Sequence, residues 1–161
     1  MFDALIGNTD RHQDNWGVVI THSHKNKNSP GIITGVRLSP AFDNGTSMGY
    51  ELPEADFIIC NDDKRLEKYA ARGTHQLRWK LTDPKKANHS ELLLKLINSY
   101  PDTHEIMLEC LRKVNSVVFE KILDQLVRIE VGVKLTEARA IFMLKLISYR
   151  HQRLLKILEG I

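Results

Sequence analysis

The sequence is poor in cysteine and has no long apolar run. It contains two cysteines, Cys60 and Cys110, without CxxC spacing, so we predict reduced, partly buried thiols and neither a disulfide nor a zinc site. No stretch approaches the roughly 20 uninterrupted apolar residues that a membrane span requires. The first residues carry an acid where a secretory signal would be basic. We therefore expect a cytoplasmic protein with no membrane partner.

Neither positive nor negative charge is in large excess. The formal net charge is +3, and the lysines and arginines are scattered without an aromatic-interleaved block. This distribution is typical of a solvated surface, so we expect no direct nucleic-acid partner. Apolar residues make up 42% and charged residues 27% of the 161 residues, which is ordinary globular composition. With no repeat or linker to divide it, the sequence predicts one domain over residues 1–161.

The N-terminal part is predicted to carry loops around a β-hairpin. Residues 1–6 have the pattern of the end of a helix, and the polar loop GNTDRHQDNWG follows. Strand-like runs at 16–21 and 32–38 flank the polar stretch SHKNKNSPG, which predicts a hairpin with a long, mobile tip. A second glycine-bearing loop, SPAFDNGTSMG, comes next, and we predict irregular structure at 52–60.

From residue 62 onward the periodicity is helical. Thr136 is a credible N-cap of the last helix, and either Asn88 or Ser90 could cap an earlier one. The fold class is therefore mainly α (α+β): a helical bundle with a hairpin at its N-terminal end. Helices are predicted at 62–72, from 88 or 90 to about 100, and at 102–114, 117–129 and 136–159. A core stripe is predicted from Ile141, Leu144, Ile147, Leu154 and Leu158.

Four polar residues form a candidate site. Asp10, His12 and Asn15 fall within one loop, and Asp43 follows the hairpin. Because two antiparallel strands return the chain close to where it left, we expect the loops at the two ends of the hairpin to meet. The four side chains could then face a common pocket.

The order of these residues matches phosphoryl transfer. That reaction needs magnesium held against the phosphates of ATP and a carboxylate that orients or deprotonates the acceptor hydroxyl. In protein kinases the base Asp precedes a metal-binding Asn by five residues, and a second metal-binding Asp lies in a DFG triplet. Asp10 and Asn15 have this spacing, and Asp43 in the segment FDNG takes the place of the DFG acid.

With these motifs, GNTDRHQDNWG followed by LSPAFDNG, the chain resembles the HipA-like kinases and, more distantly, the phosphoinositide lipid kinases. The segments HQLRW and RHQRL extend the resemblance more weakly into the helices. The resemblance implies a protein-kinase-like C-terminal lobe with Asp10 as the catalytic base. It also implies Mg²⁺ ligands at Asn15 and Asp43, and His12 either supporting the loop or approaching the phosphates. The implied cofactors are Mg²⁺ and ATP. The implied partners are a protein substrate with a Ser or Thr acceptor and a DNA-binding antitoxin, and a lipid acceptor is a variant.

One part of the kinase pattern is missing from these residues. None of the nine glycines forms a GxGxxG arrangement ahead of the loop, and no strand lysine of the V-A-I-K type occurs. We therefore expect one of three explanations for the missing nucleotide-holding N-terminal lobe: the sequence is a fragment, it is a truncated product, or a separate polypeptide supplies the lobe. Weak or no kinase activity is expected from the 161 residues alone.

Three other interpretations stay open or are ranked lower. A non-catalytic interaction module is the main alternative, with apolar side chains exposed where another lobe would lie. A metal-dependent phosphohydrolase built on Asp10, His12 and Asp43 ranks last, because such sites usually need more ligands. A zinc site at His22 and His24 is rejected, because the hairpin tip offers no third ligand.

Overall fold

The structure, a computed structural model, describes residues 1–23 and 31–161, apart from the side chain of Cys60. Within these ranges it is α+β and mostly helical, with one antiparallel sheet of two strands, which confirms the predicted fold class. The predicted mobile tip, His24 and the predicted burial of Cys60 lie outside the described residues. In chain order the elements are α1 (Phe2–Ile6), β1 (Val18–Ser23), β2 (Ile32–Leu38), α2 (Asp63–Ala70), α3 (His89–Ser99), α4 (Thr103–Arg112), α5 (Ser116–Val127) and α6 (Glu137–Glu159).

The long helix α6 connects two apolar clusters. In the first, Ile147, Leu154 and Leu158 pack with buried leucines, isoleucines and alanines of α1, α3 and α4. In the second, Phe142 packs against α2, and its ring stacks on Phe57 with 4.4 Å between the centroids. Both clusters are formed by apolar positions three or four apart on each helix, as the periodicity predicts. Packing of α1 in the first cluster fixes the position at which the loop after α1 begins.

Side-chain caps fix where two of the helices begin. The Oδ1 atom of Asn88 accepts a hydrogen bond from the Glu91 amide at 2.8 Å, so α3 is capped by Asn88 and not by Ser90. The hydroxyl of Thr136 accepts from the Arg139 amide at 3.1 Å, which confirms the predicted cap of α6. Each cap supplies an acceptor to an N–H group that has no partner within the helix.

The hairpin brings its two flanking loops together. Val18 pairs with Leu38 at the base of the sheet, and the Ser39 amide donates to the Gly17 carbonyl at 2.8 Å. The loop that ends at Gly17 and the loop that begins at Ser39 are therefore neighbours. The predicted site depends on this proximity of the two loops.

The prediction of irregular structure at 52–60 is wrong. A 3₁₀-helix spans Glu54–Asn61, begins after Pro53 and packs Phe57 against α6. The mixed polar and apolar order of these residues hides the helix in the sequence, because the turn packs into the cluster around Phe142 through Phe57 and Ile59. This is a tertiary contact that local pattern does not reveal.

Two burial predictions are also wrong. Ile141 was predicted in the core stripe of α6, but 57% of its surface is exposed, at a groove between α5 and α6. Cys110, predicted to be partly buried, is exposed because it lies on the face of α4 away from buried Leu108 and Leu111.

Helix α2 ends at Ala70, two residues before the predicted end. Among the described residues, no helix combines the length and apolar character needed to cross a membrane.

Candidate active site

The candidate site begins at the C-terminal end of α1. Gly7 has φ of 70° and ψ of 36°, the left-handed conformation that ends a helix and that glycine adopts without strain. A Cβ atom at this position would lie 2.2 Å from the guanidinium carbon of Arg150. Arg150 is buried and donates from Nη1 to the Ile6 carbonyl at 3.0 Å. Helix α6 thus supports the point where the chain enters the loop.

The next residue, Asn8, joins the two loops of the site. Its side chain has no exposed surface. The Oδ1 atom accepts from the Asp10 amide at 3.0 Å and from the Thr46 hydroxyl at 2.8 Å. The Nδ2 atom donates to the Asp43 carbonyl at 3.4 Å. One buried amide therefore fixes the backbone of Asp10 and of Asp43 relative to each other.

Arg11 makes a second connection between the same loops. It is 2% exposed and pairs through Nη2 with Asp3 of α1 at 2.8 Å. Its Nη1 atom donates to the Asn15 carbonyl at 3.3 Å and also to the carbonyl of Phe42. Its Nη2 atom also donates to the side chain of Asn44. The guanidinium therefore places the backbone of Asn15 beside the residue that precedes Asp43.

The structure brings together the loops that carry three of the predicted site residues. Asp10 is half-buried, Asn15 is buried and Asp43 is exposed. The Nδ2 atom of Asn15 donates to the Asp10 carbonyl at 2.8 Å. Because the Nδ2 atom makes this bond, a cation would contact Asn15 through its amide oxygen. Asp43 has φ of 52°, a left-handed backbone that is uncommon outside glycine and that is often found at functional sites.

His12 is placed differently from the other three. Its Nδ1 atom accepts from the Asp14 amide at 3.3 Å and caps the short 3₁₀-helix Gln13–Asn15. The Asp14 carboxylate lies 3.7 Å from the same nitrogen. This geometry gives His12 a part in shaping the loop that holds Asn15. A part in shaping the loop is one of the two roles that the resemblance left open, and the other, an approach to the phosphates, stays a prediction.

Two buried histidines lie beneath the loop. The rings of His75 and His89 meet edge to face with 4.5 Å between centroids, and the Nε2 atom of His89 donates to the Asn8 carbonyl at 2.9 Å. Burial first, and then the neighbouring His75, lowers the pKa of His89 to about 4. Burial also lowers the pKa of His75. Both rings are therefore neutral near pH 7, and His89 must carry its proton on Nε2 because a carbonyl only accepts.

The chemistry of the donor set decides which metals fit. In the ranges 1–23 and 31–161, no three His, Cys, Asp or Glu side chains gather into a group able to hold a metal ion. The oxygens of Asn15 and Asp43 are hard ligands, too few for a cage of protein groups. Mg²⁺ keeps several waters and is commonly held by one or two protein oxygens together with substrate phosphates. The donor set therefore fits Mg²⁺ better than zinc or calcium.

The sequence analysis gave no role to three residues that build the site: Asn8, Arg11 and Gln76. The signal for Asn8 was its place two residues before Asp10, since Asn side chains commonly bond the amide two positions on. The signal for Arg11 was Asp3, an acid in an otherwise apolar helix that needs a buried cation. Gln76 donates from Nε2 to the Asp10 carboxylate at 3.3 Å, and nothing in its local sequence indicates this contact.

Comparison of the chain with protein-family models, with curated proteins and with solved structures finds no match. The resemblance to HipA-like kinases therefore rests on the sequence motifs alone.

Proposed function

We propose that these residues form the catalytic and metal-binding part of a HipA-like serine/threonine kinase that uses Mg²⁺ and ATP. The observation that carries the proposal is the hydrogen bonding of Asn8, which ties the Asp10 amide and the Asp43 carbonyl to one buried side chain. A base and a metal ligand that act on one phosphoryl group must share a rigid frame. Two loops 35 positions apart in sequence share such a frame here.

The role proposed for each residue comes from the resemblance, and the surroundings of its side chain support it. Asp10 accepts the proton of the acceptor hydroxyl, and its half-buried carboxylate is reachable from solvent. Asn15 and Asp43 would hold Mg²⁺ through the amide oxygen and the carboxylate. Bound Mg²⁺ neutralises charge on the phosphates of ATP. His12 shapes the loop through its bond to the Asp14 amide.

The partners in the proposal follow from the resemblance. They are a protein with a Ser or Thr acceptor and a DNA-binding antitoxin, in the cytoplasm. A nucleotide-holding lobe is also required, because none of the residues around Asp10, Asn15 and Asp43 forms a glycine-rich phosphate loop. Slow turnover is therefore expected from the 161 residues by themselves.

The proposal is tested by phosphate transfer from γ-labelled ATP to dephosphorylated casein, used as a hydroxyl-bearing probe, in Mg²⁺ buffer. We expect slow labelling of serines that falls at least about 100-fold in Asp10→Asn. Asp43→Asn removes the carboxylate but keeps a residue type that tolerates positive φ, so it separates the loss of the metal ligand from strain. Asp14→Asn is the control, since this side chain lies in the same loop and is 77% exposed. Labelling that survives Asp10→Asn would contradict the proposal.

A second function, a protein-interaction module, is favoured by one face of the hairpin. Val18, Ile20, Val36 and Leu38 lie on this face in cross-strand pairs, and each is 49 to 66% exposed. Strands that alternate in this way normally bury the apolar face. Concentration-dependent association in sedimentation that is lost in Ile20→Thr with Val36→Thr, without any phosphate transfer, would favour the module over the kinase.

A further inference from the structure

A loop of residues 75–87 reaches the proposed base from the other side of the site. Its neck is closed by the bridge between Thr74 and Asn88, with the His75 amide donating to the Ala87 carbonyl at 3.0 Å. The His89 amide donates to the Gly73 carbonyl at 3.1 Å. The neck is then attached to the candidate site, because the His89 ring donates to the Asn8 carbonyl.

The register of this neck sets two side chains against each other. Gln76 follows His75, and Lys86 precedes Ala87, so the pairing of His75 with Ala87 makes Gln76 and Lys86 neighbours across the loop. The Nζ atom of Lys86 donates to the Oε1 atom of Gln76. Because an ammonium group can only donate, the amide oxygen of Gln76 must face Lys86.

The orientation of this amide determines what Gln76 presents to the site. With its oxygen turned to Lys86, the Nε2 atom points to the Oδ1 atom of Asp10 at 3.3 Å. This N–H donor holds the Asp10 carboxylate in one rotamer. A lysine in direct contact with Asp10 would do the same but would place a full positive charge on the group that must accept a proton.

We propose that Gln76 is a positioning residue for Asp10, and that Lys86 sets the direction of its amide. Gln76 holds Oδ1 and leaves Oδ2 of Asp10 to meet the acceptor hydroxyl. Gln76 touches neither acceptor nor nucleotide in this account, and acts through the carboxylate. The inference rests on the proposed function, since a base needs positioning only if Asp10 accepts a proton.

The test has one arm that needs no turnover. In ¹⁵N-labelled protein, the side-chain amide resonances of Gln76, assigned by their loss in Gln76→Leu, should move in Asp10→Asn, which replaces the carboxylate that accepts from Nε2. Lys86→Met should move both amide proton resonances toward the two separate positions of an unstructured glutamine side chain, Lys86→Arg should restore them, and Lys85→Met should leave them unchanged. Gln76 resonances that are unchanged in Asp10→Asn would overturn the inference.

The second arm is the slow transfer to casein described above. Gln76→Leu should lower kcat about tenfold with the KM for ATP unchanged, because the amide orients the base and does not bind nucleotide. Gln76→Glu, which keeps the acceptor for Lys86 but sets a carboxylate against Asp10, should lower kcat further. An active chain whose kcat is unaffected by Gln76→Leu would overturn the positioning role alone. A wild-type chain that transfers no phosphate and also binds no divalent cation through Asn15 and Asp43 would overturn the proposed kinase function and the positioning role together.

Discussion

The Nδ2 atom of Asn8 donates a hydrogen bond to the backbone carbonyl of Asp43 across 35 positions of sequence. The same side chain accepts from the Asp10 amide and the Thr46 hydroxyl, so one buried amide serves both loops of the site. Buried polar groups of this kind are expensive to leave without partners. The shape of the candidate site is therefore linked to the stability of the fold.

Asn8→Ala is expected to lower the free energy of unfolding by about 2 to 4 kcal/mol, because it leaves buried groups on both loops without partners. Urea denaturation measures this change. Asn98→Ala is the matched control, since Asn98 is exposed near the end of α3, and its effect is expected within about 0.5 kcal/mol. Equal effects of the two substitutions would show that the Asn8 bonds contribute little.

Arg11→Met is expected to destabilise the fold by about 3 to 5 kcal/mol, because it leaves the Asp3 carboxylate buried without its cation. The comparison is Lys113→Met, which removes an exposed ion pair with Glu109 and should cost less than about 1 kcal/mol. Both values come from chemical denaturation at pH 7. A loss for Arg11→Met as small as that for Lys113→Met would contradict the buried pairing.

Stability is expected to fall as the pH drops from about 6.5 toward 4, the window set by His89. In this window the unfolded chain binds a proton at this position and the folded chain does not, so the free energy of unfolding decreases with decreasing pH. The expected loss between pH 7 and pH 5 is about 2 kcal/mol. His89→Gln keeps an N–H donor for the Asn8 carbonyl and removes the titrating ring, so its slope should be shallower. An unchanged slope in His89→Gln would contradict this assignment.

Gly49→Ala is expected to destabilise the loop that follows Asp43. Gly49 has φ of 71°, and a Cβ atom there would lie 2.5 Å from the buried ring of Phe142. The left-handed backbone alone costs an alanine about 1 to 2 kcal/mol, and the clash adds to this. Gly45→Ala, in the same loop, has no atom within 4 Å of the added carbon and should change the melting temperature little. Similar melting temperatures for the two variants would show that the loop relaxes freely.

The features that the sequence predicted well are local ones. The cap at Thr136 and the hairpin follow from residue types and spacing within a few positions, although β1 spans Val18–Ser23, two residues later than predicted. The return of the chain from Gly17 to Ser39 then follows from the hairpin itself. The approach of the Asp10 and Asp43 loops could be predicted for this reason, and the structure confirms it.

The features that the sequence analysis missed depend on partners far along the chain. Arg11 contacts the carbonyl of Phe42 across 31 positions, and Gln76 contacts Asp10 across 66 positions, so neither of these two contacts has a local signature. Ile141 fits the helical stripe of α6, but periodicity gives only the face and not whether another helix covers it. The sequence pattern cannot predict long-range contacts of single side chains.

The most direct test of the account is whether Asn15 and Asp43 hold a divalent cation together. Mn²⁺ in place of Mg²⁺ allows binding to be followed by electron paramagnetic resonance and by relaxation of nearby protein protons. We predict one Mn²⁺ per chain, strongest relaxation at the amides of Asp10 and Asp43, and loss of binding in Asn15→Ala with Asp43→Asn but not in Asp14→Asn. Binding that persists in the double variant, or relaxation centred elsewhere in the chain, would contradict the proposed site.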